Sequence, residues 1–360
     1  MKVGLIGLPM TGKTTFFNIL TENRGADSAS YKPGANIGIA KIPDPRIDYL
    51  ANVYKPKKTT YATLEVTDIQ GITPGSSGKN SSAFHFLEAV RQVDALVHVV
   101  RAFENDEVVH VEGSIDPLRD IETVNMELLL ADLAVIENRI HRIETGKKIT
   151  KDNVKELAVL NKLRECLEEE KLISSLDLSE EEKSFLKAYN FLTERPMILA
   201  VNMDDEQFAS GDYPGKAETV KYAAERNIPL IELCAKTELE ISELEPEDSQ
   251  LFMQDLGLAE TGISRLATAA YELLGLISFL TAGEDEVRAW TIKKGTTAKD
   301  AGGKIHSDIA RGFIRAEVVK FRDFAEHGSM VRLREKGLVR LEGKDAVIED
   351  GDIIEFRFNV

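Results

Sequence analysis

Disulfide chemistry is nearly missing from this chain: 360 residues carry only Cys166 and Cys234, too few for a disulfide framework. Long apolar runs are missing too. The apolar start is interrupted by Gly4, Gly7 and Lys13, and no later stretch reaches the length that spans a bilayer, so neither a signal peptide nor a membrane segment is expected and the protein reads as soluble and cytoplasmic. Nor is there an excess of positive charge. Lys and Arg number 45 against 61 Asp and Glu, and the formal net charge of −16 argues against a basic surface that coats nucleic acid. The deficit is uneven: residues 281–360 hold 15 basic and 15 acidic residues, leaving 30 against 46 in residues 1–280. The length implies two or three domains with room for sizeable cores.

The strongest pattern present is Gly7-Leu8-Pro9-Met10-Thr11-Gly12-Lys13-Thr14, which fits G-x-x-x-x-G-K-[ST] at every fixed position. It lies between an apolar run, Lys2 to Ile6, that reads as a buried strand and a helical pattern from Thr15 to Leu20. Such a turn aims backbone N–H groups and a helix N-terminus at phosphates. Pro9, Met10, Thr11, Gly12, Lys13, Thr14 and Thr15 are therefore expected to bind nucleotide, with Lys13 on the β/γ oxygens and the Thr14 hydroxyl on Mg²⁺.

A Gly-, Ser-, Ala- and Pro-rich stretch, Gly25 to Gly38, follows and reads as a loop that closes over a nucleotide. Ala62 to Thr67 alternate like a strand and deliver Asp68-Ile69-Gln70-Gly71, a D-x-x-G arrangement. Asp68 would hold the Mg²⁺ water shell, and the Gly71 N–H would approach the γ-phosphate. The next residue is Ile72, where Ras-like GTPases place a water-orienting glutamine; an aliphatic side chain cannot do that, so hydrolysis needs another residue or a partner, or is very slow. Gly75 to Ala83 read as a flexible loop, Phe84 to Val90 as a helix, and Ala95 to Val100 as a buried strand. His110 falls in the non-periodic stretch Arg101 to Pro117 past that strand's end, where loops of such sheets bind ligands.

From Ile121 to Leu192 the chain turns charged and helical, with Ile136, Ile140 and Ile143 on one face and Leu157, Leu160 and Leu167 on another. Thr145-Gly146-Lys147-Lys148 marks a turn, giving an inserted helical hairpin that is either a solvated coiled coil or an arm for a macromolecular partner. Met197 to Val201 then form a strand ending in Asn202-Met203-Asp204-Asp205, at the place of a GTPase N-K-x-D motif. A further strand, Pro229 to Leu233, leads into Cys234-Ala235-Lys236, at the place of S-A-K. Asn202, Met203, Asp205, Cys234, Ala235 and Lys236 are thus the expected base site, with Met203 replacing the lysine. In residues 281–360, alternating runs at Val287 to Ile292, Ala316 to Phe321 and Ile353 to Phe358, with the turn Glu349-Asp350-Gly351-Asp352, indicate a small α+β domain.

The whole chain resembles the YchF family, the Obg-like ATPases of the translation-factor GTPase class. The stretches that carry the likeness are GLPMTGKTTFFN, PDPR (Pro43 to Arg46), HVVRAFEND (His98 to Asp106), FMQDLGL (Phe252 to Leu258), EVRAWTI, GKIHSD, GFIRAE and the closing GKDAVIEDGDIIEFRFNV. The resemblance implies an α/β P-loop GTPase-like domain (1–120 and 196–278), an inserted helical coiled-coil hairpin (121–195) and a C-terminal α+β TGS domain of β-grasp, ubiquitin-like form (279–360). It also implies His110 as the catalytic histidine beside Lys13 and Gly71, Asn202 with Asp205 as an altered base motif, and ribosome binding through the arm and TGS domain. RNA contact is then expected only on the ribosome. Three departures stand out: Ser30 to Asn36 offers no threonine as a second Mg²⁺ ligand, the loop after Gly75 lacks the family's glycine-rich sequence, and the base motif ends in Asp205 where Glu is usual.

A nucleotide-hydrolysing switch of translation or stress response is therefore expected, with a scaffold that hardly hydrolyses and a metabolic phosphotransferase as alternatives. ATP is expected over GTP, with a GTP-specific GTPase as the alternative. Asp205 alone favours guanine, whereas Met203 and the family likeness favour adenine, with Asp205 turned to solvent.

Overall fold

The computed structural model describes residues 1–22, 36–72, 82–146, 150–186 and 188–359. Of the loops expected from Gly25 to Gly38 and from Gly75 to Ala83, the described parts are Asn36 to Gly38, which begin a strand, and Ser82 and Ala83, which begin a helix; the rest, with the Lys147-Lys148 half of the hairpin turn, lies outside the described residues.

Twelve strands are described: β1 (Lys2–Ile6), β2 (Asn36–Ile42), β3 (Lys58–Thr60), β4 (Ala62–Asp68), β5 (Ala95–Arg101), β6 (Met197–Asn202), β7 (Leu230–Leu233), β8 (Leu276–Ala282), β9 (Glu286–Lys293), β10 (Phe313–Lys320), β11 (Arg340–Glu342) and β12 (Asp352–Phe358). They form two six-stranded sheets, ordered β2-β4-β1-β5-β6-β7 and β11-β10-β12-β8-β9-β3. In the first, β1 pairs in parallel with β4 and β5, β5 with β6, and β6 with β7. Residues of β5 and β6 are buried throughout, as expected of strands covered on both faces. This parallel order carries the ends of β1, β4, β5 and β6, with the motifs that follow them, to the same side of the sheet.

By its contacts the chain divides into two compact units, residues 1–39 with 65–270, and residues 40–64 with 271–360. The expected division placed residues 40–64 in the nucleotide-binding domain. The structure groups them with the C-terminal unit because β3 pairs in parallel with β9, and because Arg46, on the helix Pro45–Tyr54, reaches Asp350 at 2.6 Å. In that unit β10 and β12 are antiparallel, as are β8 and β9, around a core of Phe279, Ile292, Val318 and Ile354.

The helical insert begins earlier than its periodicity suggested. The helix Pro117–Glu144 starts at Asp116, whose carboxylate accepts from the Arg119 N–H while Pro117 occupies the first turn. Its first turns belong to the sheet's core: Ile121, Val124 and Leu128 cluster with Ile6, Phe86 and Leu199. Beyond them Ile136, Ile140 and Ile143 pack with Leu160, Leu163 and Leu167 of the helix Lys151–Glu168, the second, separate core of the hairpin. No helix among the described residues is long and apolar enough to cross a membrane.

Candidate nucleotide site

The phosphate loop joins β1 to the helix Lys13–Leu20, whose N-cap Gly12 has φ 95°. A Cβ there would lie 2.4 Å from Asn202 Nδ2, so both conformation and space require glycine. Met10 also takes a left-handed conformation, with φ 60°, and is 65% exposed, while Thr11 is buried and donates to the Leu8 carbonyl at 3.2 Å. Lys13 is buried, its Nζ donating to the same carbonyl at 2.6 Å; burial, partly countered by Asp68, lowers its pKa to about 8. A positive group held in a low-dielectric pocket suits an anionic partner such as a polyphosphate. On β5, His98 is fully buried, and burial together with the Lys13 charge pushes it down to about 3, which keeps this ring neutral behind the loop.

The D-x-x-G segment meets the loop. Thr14 Oγ1 donates to Asp68 Oδ2 at 3.0 Å, and a Cβ on Gly71 would lie 2.8 Å from the Pro9 nitrogen and 3.0 Å from Lys13 Nζ. Thr14 and Asp68 present a hydroxyl and a buried carboxylate, the oxygen donors that a hard divalent cation takes. As two oxygen donors they fit Mg²⁺, a hard cation that completes its shell with phosphate and water. Ile72 is fully buried in the sheet core, which removes it from any role with water.

Asn202 ties the base side to the phosphate side. Its Nδ2 donates to the Thr11 carbonyl at 3.0 Å and its Oδ1 accepts the Ala235 N–H at 3.0 Å. The Ala235 N–H is therefore engaged. Met203 departs from its expected place beside the base: its side chain is 3% exposed and packs with Ala102, Val201 and Tyr213, because the residue after β6 continues that strand's core. Asp205 keeps about half of its side chain in solvent, 49% exposed, while its carboxylate bonds to neighbours. Its carboxylate accepts from Lys236 Nζ (2.5 Å), Thr237 Oγ1 (3.0 Å) and Cys234 Sγ (3.3 Å), and the Lys236 bond holds its pKa below the usual range. Asn202→Ala is expected to leave a buried carbonyl and a buried N–H unpaired, at about 1–3 kcal/mol each, and to lower the urea midpoint as well as nucleotide affinity; an unchanged midpoint would show that the two loops stand without it.

His110 is buried, and none of its described bonds runs to the phosphate loop. Its Nδ1 accepts the Glu112 N–H at 3.1 Å, so Nε2 carries the proton and donates to Asp120 Oδ2 at 2.8 Å. Arg119 grips the other Asp120 oxygen at 2.8 Å and the Ser114 carbonyl at 2.6 Å. Arg101, buried at the end of β5, donates to the carbonyls of Phe103 (3.1 Å), Asn105 (3.3 Å) and Val108 (2.9 Å) and lies 4.3 Å over the Phe103 ring. Sequence reasoning missed Arg101, Asp120 and Thr237. The signal for Arg101 was available, since a guanidinium closing a fully apolar strand run has to find partners.

Comparison with known proteins agrees with this geometry. A family described as "50S ribosome-binding GTPase" matches residues 2–162, and a C-terminal YchF-GTPase family, described as a protein of unknown function, matches residues 276–359. The chain is 46% identical to the "Ribosome-binding ATPase YchF" of Bacillus subtilis, with all of both chains covered, and 42% identical to the protein of that name from Escherichia coli O157:H7, covering 100% of this chain and 99% of that one. The solved structure of the Schizosaccharomyces pombe YchF GTPase superposes with a TM-score of 0.87 at 31% identity, covering 99% of this chain and 97% of the other. With full-length relatives at that identity and the same fold throughout, the chain belongs to the YchF family.

Proposed function

We propose that this protein is a ribosome-binding ATPase of the cytoplasm that hydrolyses its nucleotide slowly and uses the bound state as a switch. The observation that carries the reading is the approach of Gly71 to Pro9 and Lys13, which sets the D-x-x-G backbone against the place where a γ-phosphate would lie. The full-length relatives named ribosome-binding ATPases support the partner and the nucleotide. Lys13 would neutralise the β/γ oxygens, the turn before it would cradle the phosphates with backbone N–H groups, and Thr14 with Asp68 would hold Mg²⁺. When bound, that ion neutralises charge on the β- and γ-oxygens.

Slow turnover follows from Ile72, whose buried aliphatic side chain leaves the attacking water without its usual orienting amide. The same residue favours a second reading, a scaffold that binds nucleotide and hardly cleaves it. Turnover of ATP and GTP measured with and without ribosomes separates the two. Slow ATP hydrolysis that ribosomes accelerate supports the switch; no phosphate release in either condition supports the scaffold. Saturable phosphoryl transfer to a small acceptor would support the phosphotransferase instead.

A further inference from the structure

We propose that Lys236 sets base choice by latching Asp205, an inference that rests on the adenine reading above. In a site that reads guanine, one carboxylate accepts two base donors, N1–H and the 2-amino group, and needs lone pairs on both oxygens turned to the base. Here Thr237 Oγ1 and Cys234 Sγ both donate to Asp205 Oδ1, and Lys236 Nζ donates to Oδ2. Oδ1 is then filled, and Oδ2 keeps one lone pair. All three donors come from residues 234–237 at the start of the helix Ala235–Glu243, and the Asn202 bond to the Ala235 N–H pins that same turn. The loop cannot swing off the carboxylate without also breaking its tie to the phosphate side.

The latch also changes what the site offers to adenine. A bare carboxylate facing adenine N1, an unprotonated acceptor, would be repelled. The ammonium of Lys236 neutralises Asp205 and adds a donor beside it, so the charge that would otherwise exclude adenine is masked. One ion pair thus acts in both directions, against guanine and for adenine. It also reconciles Asp205, a guanine-reading residue by type, with relatives named ATPases. Lys236 is mostly exposed in its side chain, so a substitution there leaves the core untouched.

The test is equilibrium titration of ATP and GTP, each with Mg²⁺, on the full chain and on Lys236→Met, which keeps an unbranched apolar stem and removes the charge. Wild type is expected to favour ATP, and Lys236→Met to move the GTP-to-ATP affinity ratio about tenfold toward GTP. A merely structural lysine would weaken both nucleotides equally and leave the ratio in place. Because Lys236 acts through Asp205, the double variant with Asp205→Asn should match Asp205→Asn alone within twofold in that ratio. If wild type favours ATP and Lys236→Met moves the ratio less than twofold, the latch is overturned and the adenine reading stands. A wild-type preference for GTP overturns the adenine reading, and with it the purpose assigned to the latch.

Discussion

Lys13→Ala is expected to abolish tight triphosphate binding and to lower turnover by at least about 10²–10³, the loss seen when a preorganised charge-stabilising donor is removed. Each charge-assisted bond from Lys13 to a phosphate oxygen would contribute about 1.5–3 kcal/mol, so losing one weakens affinity by roughly ten- to a hundredfold or more. The fold should survive. Lys13 is buried, and burial already disfavours its charge, as its lowered pKa of about 8 records. Alanine removes that unfavourable buried charge and gives up the bond to the Leu8 carbonyl and the attraction to Asp68. The urea midpoint of the variant without nucleotide should therefore be unchanged or higher. A variant that binds ATP as wild type does would remove the phosphate loop from the argument, whereas one that loses both binding and stability would mean that the lysine holds the loop together.

Much of this architecture was legible because it follows local rules. The strand, loop and helix around Gly7 to Thr14 announce themselves by an apolar run, two spaced glycines and a helical pattern, β4 by its alternation, and β5 and β6 by their buried runs. The pairing of Thr14 with Asp68 and the approach of Gly71 were likewise implied by motif order along a parallel sheet. What stayed hidden depends on partners far away in sequence. Lys58-Thr59-Thr60 has no apolar pattern and becomes strand β3 only by pairing with Glu286 to Arg288, and Arg46 is placed by Asp350, 304 residues on. The surroundings of the expected base residues were hidden for a related reason: burial places Met203 in a core, and Asp205 is engaged by three neighbouring donors. Residue type reports what a side chain can do, and neighbours decide what it does.

His110→Ala is expected to lower the hydrolysis rate by about 10²–10⁴, the range for a lost acid–base or positioning group, while leaving the dissociation constant of ATP within twofold. The geometry makes this demanding, because neither ring nitrogen is free: Nδ1 accepts from the Glu112 N–H and Nε2–H donates to Asp120. For the imidazole to reach a water, the loop that Arg101 gathers through three carbonyls has to rearrange when nucleotide binds. An alanine variant alone would confuse a lost base with a lost anchor, since it also frees a buried Asp120 oxygen and a backbone N–H. His110→Asn separates the two. Its carbonyl takes the place of Nδ1 and can accept the Glu112 N–H, so that anchor of the loop is kept, but an amide cannot take up a proton at neutral pH. If asparagine restores the rate to within twofold of wild type, His110 is an anchor for the loop and the catalytic assignment fails. If both variants lose the rate while only alanine lowers the urea midpoint, the imidazole itself acts on the water.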